Sequence, residues 1–201
     1  MEEERPSANP KAATNSYTDP ADVSKIIQTL KEDFKNKTAH HIQNYIPQEI
    51  EIFDDIQQKR VEKDLEYIKD KIINSEQRSF LLLGDSGLGK TTLLLNLANF
   101  FWDNLDINGR IPLYIFLPHV PSDKILEHLL SYQLIETGIP EIYAAKLKQK
   151  KLLLLLDGYD GIIWPNNEPK NLIISNKWDT SNYDQPYDIK VITSCRPGVF
   201  A

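Results

Sequence analysis

Four short apolar runs divide the chain: Phe80-Leu81-Leu82-Leu83, Ile111-Pro112-Leu113-Tyr114-Ile115-Phe116-Leu117, Leu152-Leu153-Leu154-Leu155-Leu156 and Ile189-Lys190-Val191-Ile192-Thr193-Ser194. Each is four to seven residues long and bounded by glycine, proline or charge, which is the pattern of strands buried on both faces of a parallel sheet. Pro112 is acceptable there only at a strand start or on an edge, because it has no N–H to give a neighbour. Between the runs the period changes to three and four. Leu93, Leu94, Leu95 and Leu97 predict a helix that fades near Trp102, and Asn104 and Asn108-Gly109 mark the loop after it. Pro121-Ser122-Asp123 predicts the cap of one helix carrying Ile125, Leu126, Leu129 and Leu130, with a break at Thr137-Gly138 and a short Lys-rich helix over 140–150. Upstream, Val23, Ile26, Ile27, Leu30 and Phe34 predict an amphipathic helix from near Asp22 or Ser24 to about Tyr45, before Pro47. Ile56, Val61, Leu65, Ile68 and Ile72 predict a second helix over about 54–73, placed to pack on the sheet that Phe80 enters. Strands alternating with helices make this an α/β chain.

Composition narrows the setting. At 201 residues the chain is one domain, or one domain with an appendage. Residues 1–20 hold three consecutive glutamates, three prolines and few core-forming residues, and are expected to be a disordered tail. Residues 21–46 read as an N-terminal helical segment and 47–201 as the main domain. The single cysteine, Cys195, excludes an internal disulfide and suits a reducing compartment; it reads as a small buried residue rather than a nucleophile. A net charge of −6 argues against nucleic acid as a partner. No apolar run approaches a bilayer-spanning length and no signal-peptide core is visible, so a cytoplasmic location is expected.

The chemistry lies between the first apolar run and the helix after it. Gly84-Asp85-Ser86-Gly87-Leu88-Gly89-Lys90-Thr91-Thr92 is glycine, four residues, then Gly-Lys-Thr, between a strand and a helix. Glycines let the backbone fold tightly so that successive N–H groups converge on an anion, and the helix adds its positive end. Lys90 supplies a mobile charge between terminal phosphates and the Thr91 hydroxyl a ligand for Mg²⁺. This is a phosphate-binding P-loop. The leucine run ends in Asp157-Gly158-Tyr159-Asp160, at the strand end where ligands bind in such sheets. Asp157, 67 residues beyond Lys90, is the candidate Mg²⁺ carboxylate; Asp160 is placed to orient an attacking water or accept its proton. Arg196, after the fourth run, can sense a terminal phosphate or merely satisfy a loop. Tyr45-Ile46-Pro47 can lie against a base. His40-His41 reads as a helix end and His128 as a surface residue. Residues 162–187 read as a long loop with a short helix around Leu172 to Trp178, and Trp164 and Trp178 as packing residues under that loop rather than base-stacking platforms.

Taken together, the Gly84 to Thr91 loop, the leucine run into Asp157-Gly158-Tyr159-Asp160 and Val191-Ile192-Thr193-Ser194-Cys195-Arg196-Pro197 resemble the Walker A, Walker B and sensor 1 motifs of NACHT domains, which belong to the STAND class of signalling NTPases. Gly158 and the Ile111 to Leu117 strand add to the likeness, which covers about Tyr45 onward. The resemblance implies a three-layer P-loop NTPase with a mainly parallel sheet, preceded by N-terminal helices. It implies ATP or GTP with Mg²⁺ as ligand, Gly84 to Thr92 as the phosphate cradle, Thr91 and Asp157 at the metal, and Asp160 and Arg196 in catalysis and sensing. It further implies a sheet order of 5-1-4-3-2. Only four strands are visible, so the sheet reads as truncated after the fourth and the P-loop strand as an open edge: either the chain is a fragment, or something else covers that edge. The helical lid and winged-helix region of the family are not present in the sequence. Gly161 stands where many relatives carry a second acid, which argues against efficient turnover.

Three functions follow as expectations. The first is the nucleotide-binding core of a signalling switch that binds Mg-ATP or, alternatively, GTP and hydrolyses it slowly, with protein partners or self-assembly through the N-terminal helices or absent C-terminal regions. The second is an interaction module in which nucleotide is structural and not turned over. The third, a P-loop kinase, lacks an Arg-rich lid and an evident acceptor site.

Overall fold

The computed structural model describes residues 20–42, 50–54, 59–125, 128–164, 172 and 187–198. In that frame the four apolar runs are strands β3 (Ser79–Leu83), β4 (Ile111–Phe116), β5 (Leu152–Asp157) and β6 (Ile189–Cys195), joined in one parallel sheet of order β3-β6-β5-β4. Register is continuous across it: Leu83 lies opposite Cys195, Leu156 opposite Thr193 and Phe116 opposite Asp157. β5 sits in the middle, and Leu152, Leu153, Leu154, Leu155 and Leu156 are all fully buried, as expected of a strand covered on both faces. β4 is an edge, and Pro112 is its second residue. β3, which leads into the P-loop, is the other edge; Leu81 and Leu83 on it remain 49% and 51% exposed.

Helix α3 (Lys90–Asp103) follows β3 and packs against β4 and β5 with Leu94, Leu97 and Phe101 buried. The N-terminal helix α1 (Pro20–Ile42) starts on proline, whose fixed φ and missing N–H suit a first helical position. Its predicted stripe is spent inside the molecule: Ile26, Leu30 and Phe34 are buried and α1 lies against α3, with Lys35 Nζ donating to Asn99 Oδ1 (2.5 Å) and Asp103 Oδ1 (2.7 Å).

Two expected elements differ. The helix expected over 54–73 begins only at Leu65: α2 (Leu65–Asn74) is capped by Asp64, whose carboxylate accepts from the Tyr67 N–H at 2.9 Å. Before it, β1 (Ile50–Asp54) and β2 (Lys59–Lys63) pair antiparallel, with Ile52 opposite Val61. Ile50 and Ile52 alternate with charge, the strand period, and that period prevails over the three-four spacing that Val61 shares with Leu65. The helix expected after Pro121 is two, α5 (Ser122–Ile125) and α6 (Leu129–Glu136), with His128 at the start of the second. Between α3 and β4 lies the single-turn helix α4 (Leu105–Asn108), ended by Gly109. α6 closes at Thr137, with Gly138 at φ 73°, and α7 (Ala144–Lys148) precedes β5. The tail expected over 1–20, apart from Pro20, which opens α1, the Tyr45 to Pro47 turn and the short helix around Leu172 to Trp178, apart from Leu172, fall outside the described residues.

Candidate functional site

The C-terminal ends of the strands bring the predicted residues to one place. β3 ends at Leu83, and the Gly84 N–H donates to the Cys195 carbonyl of β6 at 3.3 Å, so the P-loop leaves the sheet from a fixed point. Gly87 and Gly89 then take φ of 84° and 78°, the left-handed region that residues with a Cβ avoid. Gly89 is the N-terminal cap of α3, and with no side-chain cap present the helix's first N–H groups are directed at the loop. Asp85, Ser86, Gly87 and Leu88 are exposed, while Gly84 and Gly89 are half-buried. Lys90 folds back over the loop, its Nζ donating to the Gly84 carbonyl (2.6 Å) and the Asp85 carbonyl (2.9 Å). Thr92 follows in the first turn of α3.

Asp157 is the centre of the site. It is 2% exposed at the end of β5 and accepts from three elements at once: Thr91 Oγ1 of α3 (2.6 Å) and the Tyr114 hydroxyl of β4 (2.9 Å) on Oδ2, and Ser194 Oγ of β6 (2.5 Å) on Oδ1. Ser194 Oγ also accepts from the Gly158 N–H at 2.8 Å. A buried carboxylate is tolerable only when its lone pairs are used, and here the donors come from the neighbouring strands on both sides. Burial, then the adjacent Asp157 charge and the hydrogen bond to it, push the Tyr114 phenol far above its ordinary range, so it stays protonated and donates.

Asp160 lies on the 3-10 turn Tyr159–Gly161, and Arg196 just past β6. The two form an ion pair, Arg196 Nε to Asp160 Oδ2 at 2.8 Å, with Arg196 largely exposed and Asp160 mostly buried. The turn is fixed by tight packing against Pro118 of the 3-10 turn Leu117–His119. A Cβ on Gly161 would stand 2.8 Å from Pro118 Cγ, and one on Gly158, at φ 79°, would stand 3.1 Å from the same ring. At Gly161, which the resemblance marked as a departure from a second acid, no side chain fits while Pro118 keeps its place. Trp164 packs on Tyr159 at 5.3 Å between ring centroids, as expected of a packing residue, and Cys195 is fully buried. His128 is exposed.

The residues present fit Mg²⁺. Thr91 and Asp157 offer hard oxygen donors, and among the described residues no three His, Cys, Asp or Glu side chains converge as a dedicated cage. Mg²⁺ characteristically uses one or two protein oxygens and completes its shell with water and phosphate. On the β4 side the site adjoins a cavity of about 440 Å³, lined by Leu30 and Phe34 of α1 together with Thr91, Tyr114 and Phe116.

Lys90, Thr91, Asp157, Asp160 and Arg196, named from the sequence, lie together at the strand ends; Tyr114 and Ser194, which also hold Asp157, were not named there as site residues. Their signal was present but needed the register: Tyr114 is two residues before Phe116, the register partner of Asp157, and so shares its face of the sheet. A family model described as NACHT domain matches residues 78–186. A comparison with curated protein sequences finds no match.

Proposed function

Since the chain belongs to the NACHT domain family, whose members are nucleotide-binding signalling NTPases, we propose that it is the nucleotide-binding core of such a switch, taking Mg-ATP or, alternatively, GTP and hydrolysing it slowly. The observation that supports this best is the 2.6 Å contact between Thr91 Oγ1 and Asp157, which joins the P-loop helix to the end of β5 where a metal-bound phosphate belongs. In this reading the loop N–H groups from Gly84 to Thr92 receive the phosphates and Lys90 exchanges its two carbonyl partners for phosphate oxygens. Thr91 and Asp157 would hold Mg²⁺, and the ion would neutralise charge on the terminal phosphates. Asp160 orients the attacking water and Arg196 meets the terminal phosphate.

One arrangement favours the second reading, binding without turnover. Asp160 and Arg196 hold each other, and the Gly161 packing against Pro118 leaves no second acid to share the work. No helix of the described residues is long and apolar enough to cross a membrane. Protein partners that engage α1 would meet its exposed side, where Lys25 and Lys37 lie, because Ile26, Leu30 and Phe34 are buried.

The test is Lys90→Ala with a fluorescent ATP analogue. The expected result is loss of binding in a folded protein; wild-type affinity in the variant would overturn the reading. Phosphate release above background from the wild type, abolished by Asp160→Ala, separates slow hydrolysis from binding alone.

A further inference from the structure

The cavity beside the site is built by a different set of residues. None of residues 84 to 90 lines it; its walls come from α1, α3, β4 and α6, with Leu30 and Phe34 on one side, Leu95 and Trp102 of α3 on another and Leu113 of β4 between them. At about 440 Å³ it falls within the roughly 300–1,000 Å³ of small-molecule sites, and like them it is mainly apolar with few polar groups. Two observations define what it would take. The first is a donor. Trp102 is 1% exposed, and its indole N–H has no acceptor among the described residues. A buried N–H left so is uncommon, because it bears the cost of leaving water with nothing in return. The hydroxyl protons of the walls are committed elsewhere: Thr38 Oγ1 donates to the Phe34 carbonyl at 2.8 Å, and Thr91 and Tyr114 donate to Asp157. The second is charge. Asp33 and Lys37, the lining residues of fixed charge, pair with each other at 2.9 Å and leave no net charge to hold an ion. We propose that this cavity is a second ligand site, for an uncharged, largely apolar small molecule with one hydrogen-bond acceptor, a ring nitrogen or a carbonyl oxygen, which meets the Trp102 indole N–H. The apolar body packs against Leu30, Phe34 and Leu113, and entry is from the end where Lys37, His41 and His119 are exposed. The site goes beyond the nucleotide reading and does not depend on it.

The probes are isoquinoline and naphthalene, which share a shape and differ by one ring nitrogen, titrated into the isotope-labelled full chain at mildly alkaline pH, where isoquinoline is uncharged. Heteronuclear NMR follows the indole N–H signals of the three tryptophans, with Trp102 assigned by elimination from Trp164→Phe and Trp178→Phe. Isoquinoline is expected to move the Trp102 signal downfield and to bind about fivefold more tightly than naphthalene, the worth of one neutral hydrogen bond. In Trp102→Phe the two probes are expected to bind equally; the comparison within the wild type decides the matter even where that variant does not fold. Equal affinities in the wild type, as when a water already serves the indole, overturn the proposal. So do a Trp102 signal unmoved at saturating isoquinoline, failure of both probes to bind in the millimolar range, and a preference for isoquinoline that survives in Trp102→Phe.

Discussion

Lys190 tests whether this fold depends on a cation placed inside it. Its side chain, on the second residue of β6, is 4% exposed, and Nζ donates to the Ile72 carbonyl (2.6 Å) and the Ser75 carbonyl (2.7 Å) at the C-terminal end of α2. Helix C-termini leave carbonyls without partners and carry partial negative charge, so a buried ammonium there serves as a cap. It also fixes α2 a few residues ahead of β3, the strand that delivers the P-loop. Lys190→Met keeps the apolar stem and removes the charge. Two opposing terms decide the outcome. Each charge-assisted hydrogen bond contributes about 1.5–3 kcal/mol, against which stands the release of a buried cation from its desolvation cost. Ser75 is half-buried, so its carbonyl can bind water when the ammonium is gone; the Ile72 carbonyl, on a fully buried residue, is left without a partner. Counting that bond at full weight and the other at little, the loss is about 2 kcal/mol.

The pH dependence gives a second readout. Burial first, and then the neighbouring Arg110, lower the Lys190 pKa below its usual 10.5; Asp188 and Glu76 oppose the shift and Arg78 adds to it. The unfolded chain therefore binds more protons than the native one between the lowered value and 10.5, and this residue makes stability rise with pH across that window. Below the window the cost of the buried charge is present in full. Urea unfolding of wild type and Lys190→Met at neutral pH, repeated toward pH 10, should show a lower midpoint with unchanged slope in the variant, and a gap that widens with pH. A variant as stable as wild type, or more so, would mean that desolvation exceeds the hydrogen bonds and would refute the reasoning.

Further outcomes follow from single contacts. Arg196→Ala breaks an ion pair whose arginine is largely exposed, so stability should fall by no more than about 1 kcal/mol, while the preference for triphosphate over diphosphate, measured by competition, should be lost; an unchanged ratio removes Arg196 as the sensor. Gly161→Ala forces a Cβ to 2.8 Å from Pro118 Cγ and should cost about 1–3 kcal/mol, read as a drop in melting temperature; an unchanged value would mean that the proline yields freely. Phe34→Ala removes a buried ring that anchors α1 and should cost about 3–5 kcal/mol, measured by urea unfolding; a loss below 1 kcal/mol would show α1 to be loosely held. Tyr114 has its pKa raised, so the native state keeps a proton the unfolded chain loses, and stability should fall above pH 10 by up to about 1.4 kcal/mol per pH unit. Tyr114→Phe should flatten that alkaline decline, followed by circular dichroism, and an unaltered slope would exclude the phenol as its source.

What the sequence disclosed and what it withheld divide along range. Three of the strands were legible because four or more consecutive apolar residues bounded by turns have few other uses, the fourth because Ile189, Val191, Ile192 and Thr193 are β-branched, and the P-loop because its glycines answer a local backbone demand. Asp157 was legible from its place at the end of the leucine run. The β1–β2 pair was not, since Val61 is spaced for a helix with Leu65 and for a strand with Lys59 and Lys63, and only pairing with Ile52 decides. The division between α5 and α6 was hidden for a related reason: Leu126 and Leu129 continue a helical stripe whether or not the backbone does. The cap that Lys190 gives α2 shows only once the helix end is placed beside β6. Tyr114 and Ser194 acquire meaning only from the register that sets them on either side of Asp157.

That register also explains how the site rests. Two side chains expected to meet a nucleotide already have partners within the protein: Lys90 the carbonyls of Gly84 and Asp85, Arg196 the carboxylate of Asp160. On the proposed reading, loading the site is an exchange, and each displaced bond subtracts from the affinity the phosphates supply. The exchanges differ in kind. Lys90 gives up neutral carbonyls for a doubly charged group, a gain under any dielectric. Arg196 gives up one anion for another, which is nearly neutral in energy but frees Asp160. Binding and readiness for hydrolysis are thereby separable steps: phosphates can be held by the loop while Arg196 still holds Asp160. Turnover would then depend on whether the terminal phosphate competes successfully for one exposed arginine. On the proposed reading, slow turnover would then require no defect in the P-loop itself.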